Sequence, residues 1–438
     1  MRVGSQSRRS FLQKSSAIAV AAPFISVSRT SFAANSETLK VGLVGCGGRG
    51  TGAASQAMGA DRNVVMHAMG DIFDDRLQSS LKQIRERHAE RTMVTPETSF
   101  VGFDAIDKVI ASGVDVVLLA TPPGFRPYHI RKCIEAGKHV FTEKPMAVDA
   151  PGVRMVMEAA AAAKQKKLAL TSGFCWRYNP AEREVMKRIH DGQIGALNTV
   201  QTTFNTGFLW VNPRKPEWND MTYQLRNWYY FTWLSGDHLV EQGVHSIDKM
   251  QWAMRDETPV KCVGHGGRQV RTGPEFGHIF DHFSLVYEYA SGARGYHFSR
   301  QQSNTASENG DHIAGTKGTA TIKAFGPVGI TGENSWNLRK RTDADMYQIE
   351  HNEMMASIRR GEPINDGQWM AQSVMVAIMG RMAAYTGREV TWDEAINSKE
   401  NLAKWVTNQE NVEGDPRFDW NMPLRVPPVA IPGQTPLV

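Results

Sequence analysis

The sequence predicts an α/β fold class, in which an N-terminal unit on a parallel sheet is followed by a C-terminal α+β unit on a mainly antiparallel sheet. Two observations predict it. Over residues 38–172 short apolar runs alternate with helical segments, and over residues 173–390 longer runs, alternating residue by residue, are separated by turn residues. Strands covered on both faces read as continuous apolar runs, whereas a sheet with one solvated face alternates.

In the first unit, strands are expected at Leu39–Gly45, Val64–Asp71, Val114–Thr121, His139–Thr142 and Leu168–Gly173. Helices are expected between them at Arg49–Gly59, Asp74–Glu90, Arg126–Ala136 and Pro151–Lys166, which gives the strand–helix alternation of a parallel sheet with crossovers. In the second unit, His282–Tyr289 and Arg294–Gln302 flank a turn at Ala290–Ala293 and read as a hairpin. Helices are expected there at Pro180–His190, Asp237–Met254, Tyr347–Arg360 and Gln368–Thr386, with Asp237 placed to cap the second. Within the C-terminal segment 391–438, the tail from Pro416 carries several prolines and reads as extended and surface-bound.

The loop Gly45-Cys46-Gly47-Gly48-Arg49-Gly50 directly follows the first strand and opens the first helix. In that setting a Gly-x-Gly-x-x-Gly pattern makes a tight turn and lets backbone N–H groups at a helix N-terminus approach a pyrophosphate. The acid at Asp71, 21 residues beyond Gly50 and at the end of the second strand, suits the ribose 2′-hydroxyl of a dinucleotide. Ile72 and Phe73 follow it rather than a basic residue, so a 2′-phosphate would meet a carboxylate and no cation, and NAD is favoured over NADP.

The formal net charge of +5 is carried by residues 1–33, which hold Arg2, Arg8, Arg9, Lys14 and Arg29 and no acid; without them the charge is zero. No basic stripe argues for nucleic acid. Ser7-Arg8-Arg9-Ser10-Phe11-Leu12-Gln13-Lys14, an apolar run from Ala17 to Val27 and then Ser31-Phe32-Ala33 look like a twin-arginine signal peptide, which predicts export to the periplasm or beyond. The other reading is a basic tail on a cytoplasmic protein. The run is about half of the roughly 20 residues that a spanning helix needs, so no stable membrane insertion is expected. Cys46, Cys133, Cys175 and Cys262 are widely spaced, which argues for buried free thiols and against a metal site.

A second constellation, Gly137-Lys138-His139-Val140-Phe141-Thr142-Glu143-Lys144-Pro145, places a lysine where a parallel strand ends, the position at which open α/β sheets bind ligands. A partly desolvated lysine there can have its pKa lowered and hydrogen-bond a reacting hydroxyl; alone, it could equally be a solvated loop residue. The ordered set of the glycine loop, Ala120-Thr121-Pro122-Pro123, Ala136-Gly137-Lys138-His139-Val140 running into Glu143-Lys144-Pro145, and Arg177-Tyr178-Asn179-Pro180 resembles the glucose-fructose oxidoreductase and inositol dehydrogenase family (Gfo/Idh/MocA) over roughly residues 38–390. The resemblance implies a Rossmann domain followed by an open antiparallel sheet facing the nicotinamide, a catalytic Lys144 and a possible cis peptide before Pro145. It extends the cofactor-binding set of Gly45, Gly47, Gly48, Arg49, Gly50 and Asp71 to Thr121, Pro122, Glu143 and Lys144, and it puts Arg177 and Tyr178 on the substrate side.

Glu241 and His245 lie four apart on an expected helix and can address one point, with Asp248 on the next turn. In the family this stretch usually reads Asp-x-x-x-His, both residues touching substrate hydroxyls; His245 fits that pattern, and Glu241 departs from it by one methylene. Between Phe204 and Trp233 stand ten aromatics in thirty residues. Aromatic faces suit the C–H face of a sugar ring, and they equally suit a hydrophobic plug or an oligomer interface. Trp228 and Trp233, which lead into the Glu241 helix, are the substrate-side candidates.

These residues together predict reversible oxidation of a secondary hydroxyl on a sugar, glycoside or polyol, with Lys144 and His245 on the hydroxyl and no metal required. An exported chain would carry its cofactor tightly bound and recycle it, either by ping-pong between two sugars or as a redox-neutral glycosidase. A dinucleotide and sugar sensor without turnover is a third reading. A homodimer or homotetramer is expected.

Overall fold

The structure is a computed structural model that describes residues 37–338, 344–403 and 424–438. The proposed leader and residues 416–423 of the tail lie outside the described residues. Elements follow in chain order: β1 (Leu39–Val44), α1 (Gly48–Ala60), β2 (Val64–Asp71), α2 (Asp74–His88), β3 (Ser99–Val101), α3 (Ala105–Ala111), β4 (Val116–Leu119), α4 (Arg126–Glu135), β5 (His139–Thr142), α5 (Ala150–Gln165) and β6 (Leu170–Ser172). The six strands form one parallel sheet in the order β3-β2-β1-β4-β5-β6. That order reverses between β1 and β4, and in such sheets the ligand crevice lies outside the carboxyl ends of the strands at the reversal. β1 and β4 are buried apolar runs, Val41, Leu43 and Val44 against Val116 to Leu119, as their unbroken hydrophobicity predicts.

In this first half, two elements escaped the sequence reading. β3 is a three-residue edge strand and α3 a seven-residue helix, and neither is long enough to display a period.

The second half begins with α6 (Pro180–His190), where Asn179 accepts from the amides of Ala181 and Glu182 and Pro180 occupies the first helical position. It continues with β7 (Leu197–Thr206), α7 (Asp220–Arg226), α8 (Thr232–Ser235), a π-helical turn at Leu239–Gly243, α9 (Val244–Ala253), β8 (Lys261–Gly267), β9 (His282–Glu288), β10 (Arg294–Gln301), β11 (Glu308–Gly315), β12 (Gly318–Lys323), β13 (Val328–Gly332), β14 (Trp336–Asn337), α10 (Met346–Arg360), α11 (Gly367–Thr386), β15 (Val390–Thr391) and α12 (Trp392–Ile396). A nine-stranded sheet runs β14-β13-β12-β11-β7-β10-β9-β8-β15, antiparallel except where β7 meets β10. In β9 the alternate residues Phe283, Leu285 and Tyr287 face the core, the alternation that the sequence displays. The mixed α/β and mainly antiparallel architecture is therefore the expected one.

The expected helix Asp237–Met254 is corrected in two respects. Its first turn is π-helical, and Asp237 does not cap it in the usual way. Asp237 has φ +80°, is fully buried and accepts from the His238 and Phe280 amides and the Tyr385 hydroxyl, so it ties the helix entrance to its neighbours. The four cysteines are free and buried. Among the described residues no helix is long and apolar enough to cross a membrane.

Late helices complete the first sheet's surroundings. Met354 and Met355 of α10 share a core with Ala53, Ala54 and Ala57 of α1, and α11 packs on α5 as well as on β8. Described tail residues run past the end of α11, where the Gly433 amide donates to the Thr386 carbonyl at 2.8 Å.

Candidate active site

A cleft of about 450 Å³ opens where β1 and β4 part, within the usual range of ligand pockets. Gly45, Gly47, Gly48, Arg49 and Gly50 line it, with Asp71, Thr121 and Pro122. The glycines have distinct jobs. At Gly45 (φ +96°) a Cβ would lie 2.5 Å from the Ala120 backbone, and at Gly50 it would lie 2.0 Å from the Gly45 carbonyl oxygen, so both are needed for packing. At Gly47 and Gly48 a Cβ would meet nothing within 4 Å, so this backbone is bare on the cleft at the N-terminus of α1. A bare amide-rich turn beside an acid fits a dinucleotide. Asp71 accepts from the Cys46 amide at 2.6 Å and from the Phe73 amide at 2.9 Å; burial raises its pKa, and those two bonds work the other way.

The expectation that no cation stands near Asp71 is corrected: Arg76 and Arg226 both line the cleft and act on that carboxylate. Arg226 comes from the other half of the chain, and sequence spacing could not bring it there.

Arg49 lines the cleft, yet its guanidinium is engaged internally: Nε donates to Glu143 at 2.5 Å, Nη2 donates to Gln56 at 2.7 Å, and the group lies 4.8 Å from the Tyr347 ring centre. Glu143 is thus a partner of the glycine helix, and Gly173 leaves room for it, since a Cβ there would lie 2.8 Å from its Oε2. Behind Arg49 stands Glu350 on α10, fully buried, its oxygens without hydrogen-bond partners, its pKa held well above the carboxylate range by burial and by Glu143.

Lys144 follows at the end of β5, joined to Pro145 by a cis peptide. Its Nζ donates to the Glu241 carboxylate at 2.9 Å and to the Glu241 main-chain carbonyl, with both side chains about one-tenth exposed. Lys144 is therefore held as one half of an ion pair, a partner that the sequence reading of a partly desolvated lysine did not include. The π-turn presents Glu241 to it, and such turns recur at functional sites. His245, in the first turn of α9, is half-buried and its Nδ1 is buried without a hydrogen-bond partner. Burial, then the charges of Lys144 and Lys249, hold its pKa well below the ordinary histidine value, so the ring is neutral.

Arg126, at the N-terminus of α4, went unrecognised in the sequence. It is buried, donates to the Pro145 carbonyl at 2.6 Å, and faces Glu143 and Glu241; burial pulls its pKa down to about 10 against those two acids. Only its place just past Thr121-Pro122-Pro123 could have marked it.

Four expected substrate residues are engaged by internal partners. Arg177 forks onto Asp248 and bridges to Asp256 while stacking 3.9 Å over Trp369; Asp248 is fully buried between Arg177 and Ser373. Tyr178 donates to Asp366 at 3.0 Å, and the Trp233 indole N–H donates to Gln224 at 2.7 Å in the core. Their polar groups are spent on internal partners, because a buried polar group needs one. Trp228 lines the cleft beside Trp210, whereas Tyr229, Tyr230 and Phe231 fill a core, so the aromatic segment serves both uses.

Comparison with known proteins agrees with this geometry. Residues 39–174 match the model of an oxidoreductase family with an NAD-binding Rossmann fold, and residues 183–321 match the Gfo/Idh/MocA C-terminal domain. The chain is 28% identical over 257 residues to inositol 2-dehydrogenase 3 of Saccharopolyspora erythraea, covering 59% of this chain and just under two thirds, 65%, of that one. It is 26% identical over 278 residues to inositol 2-dehydrogenase of Rhizobium meliloti, covering 60% and 77%. The fold is similar to that of aldose-aldose oxidoreductase from Caulobacter crescentus complexed with glycerol, with TM-score 0.65, 20% identity and coverage of 81% of this chain and 100% of that one. Two family models in tandem, the reversed strand order and the bare glycine turn make the chain a member of the Gfo/Idh/MocA oxidoreductases, with the NAD-binding Rossmann fold of that family.

Proposed function

We propose that this chain exchanges hydride between NAD and a secondary hydroxyl of a sugar, glycoside or polyol, and that it is exported with the cofactor tightly bound. The observation that carries the reading is the end of β5, where Lys144, paired with Glu241, stands in the electrostatic reach of a neutral His245. The names of the inositol dehydrogenases among its relatives support the polyol class.

The nicotinamide, when bound, supplies the hydride acceptor. Gly47 and Gly48 would hold the pyrophosphate and Asp71 the ribose. Lys144 donates to the substrate hydroxyl, and its charge favours alkoxide character. Glu241 orients that ammonium, and Arg126 fixes the Pro145 carbonyl beneath it. His245 accepts the hydroxyl proton, for which a neutral ring is required. The leader at Ser7–Lys14 supports export of a folded, loaded chain, and self-association as a homodimer or homotetramer belongs to the same proposal.

Denaturing the purified protein and weighing any released dinucleotide tests retention; assaying the native form on sugars, polyols and nitrophenyl glycosides without added cofactor tests turnover. Lys144→Ala and His245→Asn are each expected to lower turnover by about 10²- to 10⁴-fold, His245→Asn with nucleotide content unchanged. Turnover only on addition of NAD removes the retained-cofactor reading, and parent-level turnover in Lys144→Ala removes the role of the lysine.

A further inference from the structure

After β7 ends at Thr206 the chain leaves the nine-stranded sheet and crosses to the dinucleotide cleft before returning at α8. This crossing is a built structure. Asn212 and Asn227 interlock, the Asn212 amide donating to Asn227 Oδ1 at 2.8 Å and Asn227 Nδ2 donating back to the Asn212 carbonyl at 3.0 Å, with Asn227 fully buried. Asn212 Nδ2 also donates to the Arg226 carbonyl at 2.7 Å, which fixes the residue that makes the crossing contact. Arg226 then reaches the first domain. Its two terminal nitrogens donate to the two oxygens of Asp75 at 2.7 and 2.8 Å, and its guanidinium lies 3.7 Å from the centre of the Phe73 ring. Its Nε is buried without a hydrogen-bond partner. Trp210, Asn212, Arg226 and Trp228 consequently form one wall of the cleft, facing the glycine turn and Asp71.

We propose that residues 207–228 are a clasp that completes the adenosine-ribose end of the NAD site, and that the Arg226 bridge to Asp75 and Phe73 sets the rate at which the dinucleotide leaves. The ribose bound by Asp71 lies under an arm anchored on both domains, so release requires that anchor to break. This rests on the NAD reading above and gives retention a physical cause. The bridge is partly exposed, Asp75 being 64% accessible, so it is screened by salt. A fork-shaped ion pair combined with a ring stack exceeds an ordinary surface pair.

The test loads the purified full chain with NADH and follows its displacement by excess NAD in stopped flow, reading energy transfer from tryptophan. Arg226→Ala is expected to release NADH about tenfold faster, the factor that about 1.4 kcal/mol represents. Asp75→Asn, which keeps the stack, is expected to give a smaller acceleration in the same direction. Lys187→Ala, which removes an exposed bridge to Asp191 at the end of α6, outside the clasp and the cleft, is expected to release at the parent rate. Raising the salt towards 1 M should speed release from the parent and leave Arg226→Ala unchanged. Parent-rate release from a folded Arg226→Ala overturns the clasp. If that variant does not fold, parent-rate release from Asp75→Asn together with a salt-independent parent does so. A parent chain that releases no dinucleotide on denaturation and binds no added NADH overturns the cofactor reading beneath it, which is a separate result.

Discussion

His245 sits where burial and two lysine charges oppose its protonation, and the consequence is a pH profile. A base whose pKa lies well below 6.5 stays available as the medium acidifies, so the acid limb of kcat/KM is expected below pH 6.5, measured on a polyol substrate with loaded protein. An acid limb at or above 6.5 would remove His245 as that base. At this scale the sequence revealed residue types well and partners poorly. Lys144 and Asp71 could be found because their neighbours in the chain define their places, at the ends of β5 and β2. The partners of Arg177, Tyr178, Asp248 and Trp233 were not readable because a side chain's direction depends on residues distant in sequence: Asp256, Asp366, Ser373 and Gln224 take up their polar atoms. Arg126 and Arg226 were missed for the converse reason, since each acquires its meaning from a carboxylate on another element.

Among elements, the glycine turn separates packing from binding. Gly47→Ala meets open space with φ −71°, a conformation any residue adopts, so the variant is expected to keep the parent Tm and lose dinucleotide affinity. Gly50→Ala drives a methyl into the Gly45 carbonyl and is expected to lower the Tm as well, by several degrees, as overpacking does. Thermal melts with and without NAD check both; equal Tm losses would refute the division. The α6 helix was readable to the residue because its length averages out local exceptions, and the four-residue β5 because Gly137 and Pro145 punctuate it. The π-turn was not, since nothing in Leu239–Gly243 departs from a helical period; the extra residue in the turn is a tertiary outcome that delivers Glu241 to Lys144.

For the molecule as a whole, Asp366 is a junction, accepting from the Ser172 amide at the end of β6, from Tyr178 and from Trp369. Burial raises its pKa from 3.8 to about 6. Because the folded value is the higher, its contribution to stability is complete below pH 3.8 and lost as the pH rises through about 6. Asp366→Asn lacks that titration, so the parent should lose up to about 3 kcal/mol relative to the variant between pH 4 and pH 7, two pKa units at about 1.36 kcal/mol each. Urea unfolding of both proteins across that range checks it, and a pH-independent difference would refute it. The two-sheet architecture was legible in outline from the change in strand grammar, whereas the contacts that join the halves were not, because they link residues far apart in the chain, 97 positions for Lys144 and Glu241 and 292 for Gln56 and Gln348.

One such contact bears on how the protein is made. α10 supplies Met354 and Met355 to the core beneath α1, and Glu350 to the back of Arg49. A ribosome therefore delivers the glycine turn long before the helix that seats it, and the nascent first domain emerges with an apolar face of α1 uncovered. Capture of the dinucleotide is accordingly an event of the finished chain, after synthesis of α10.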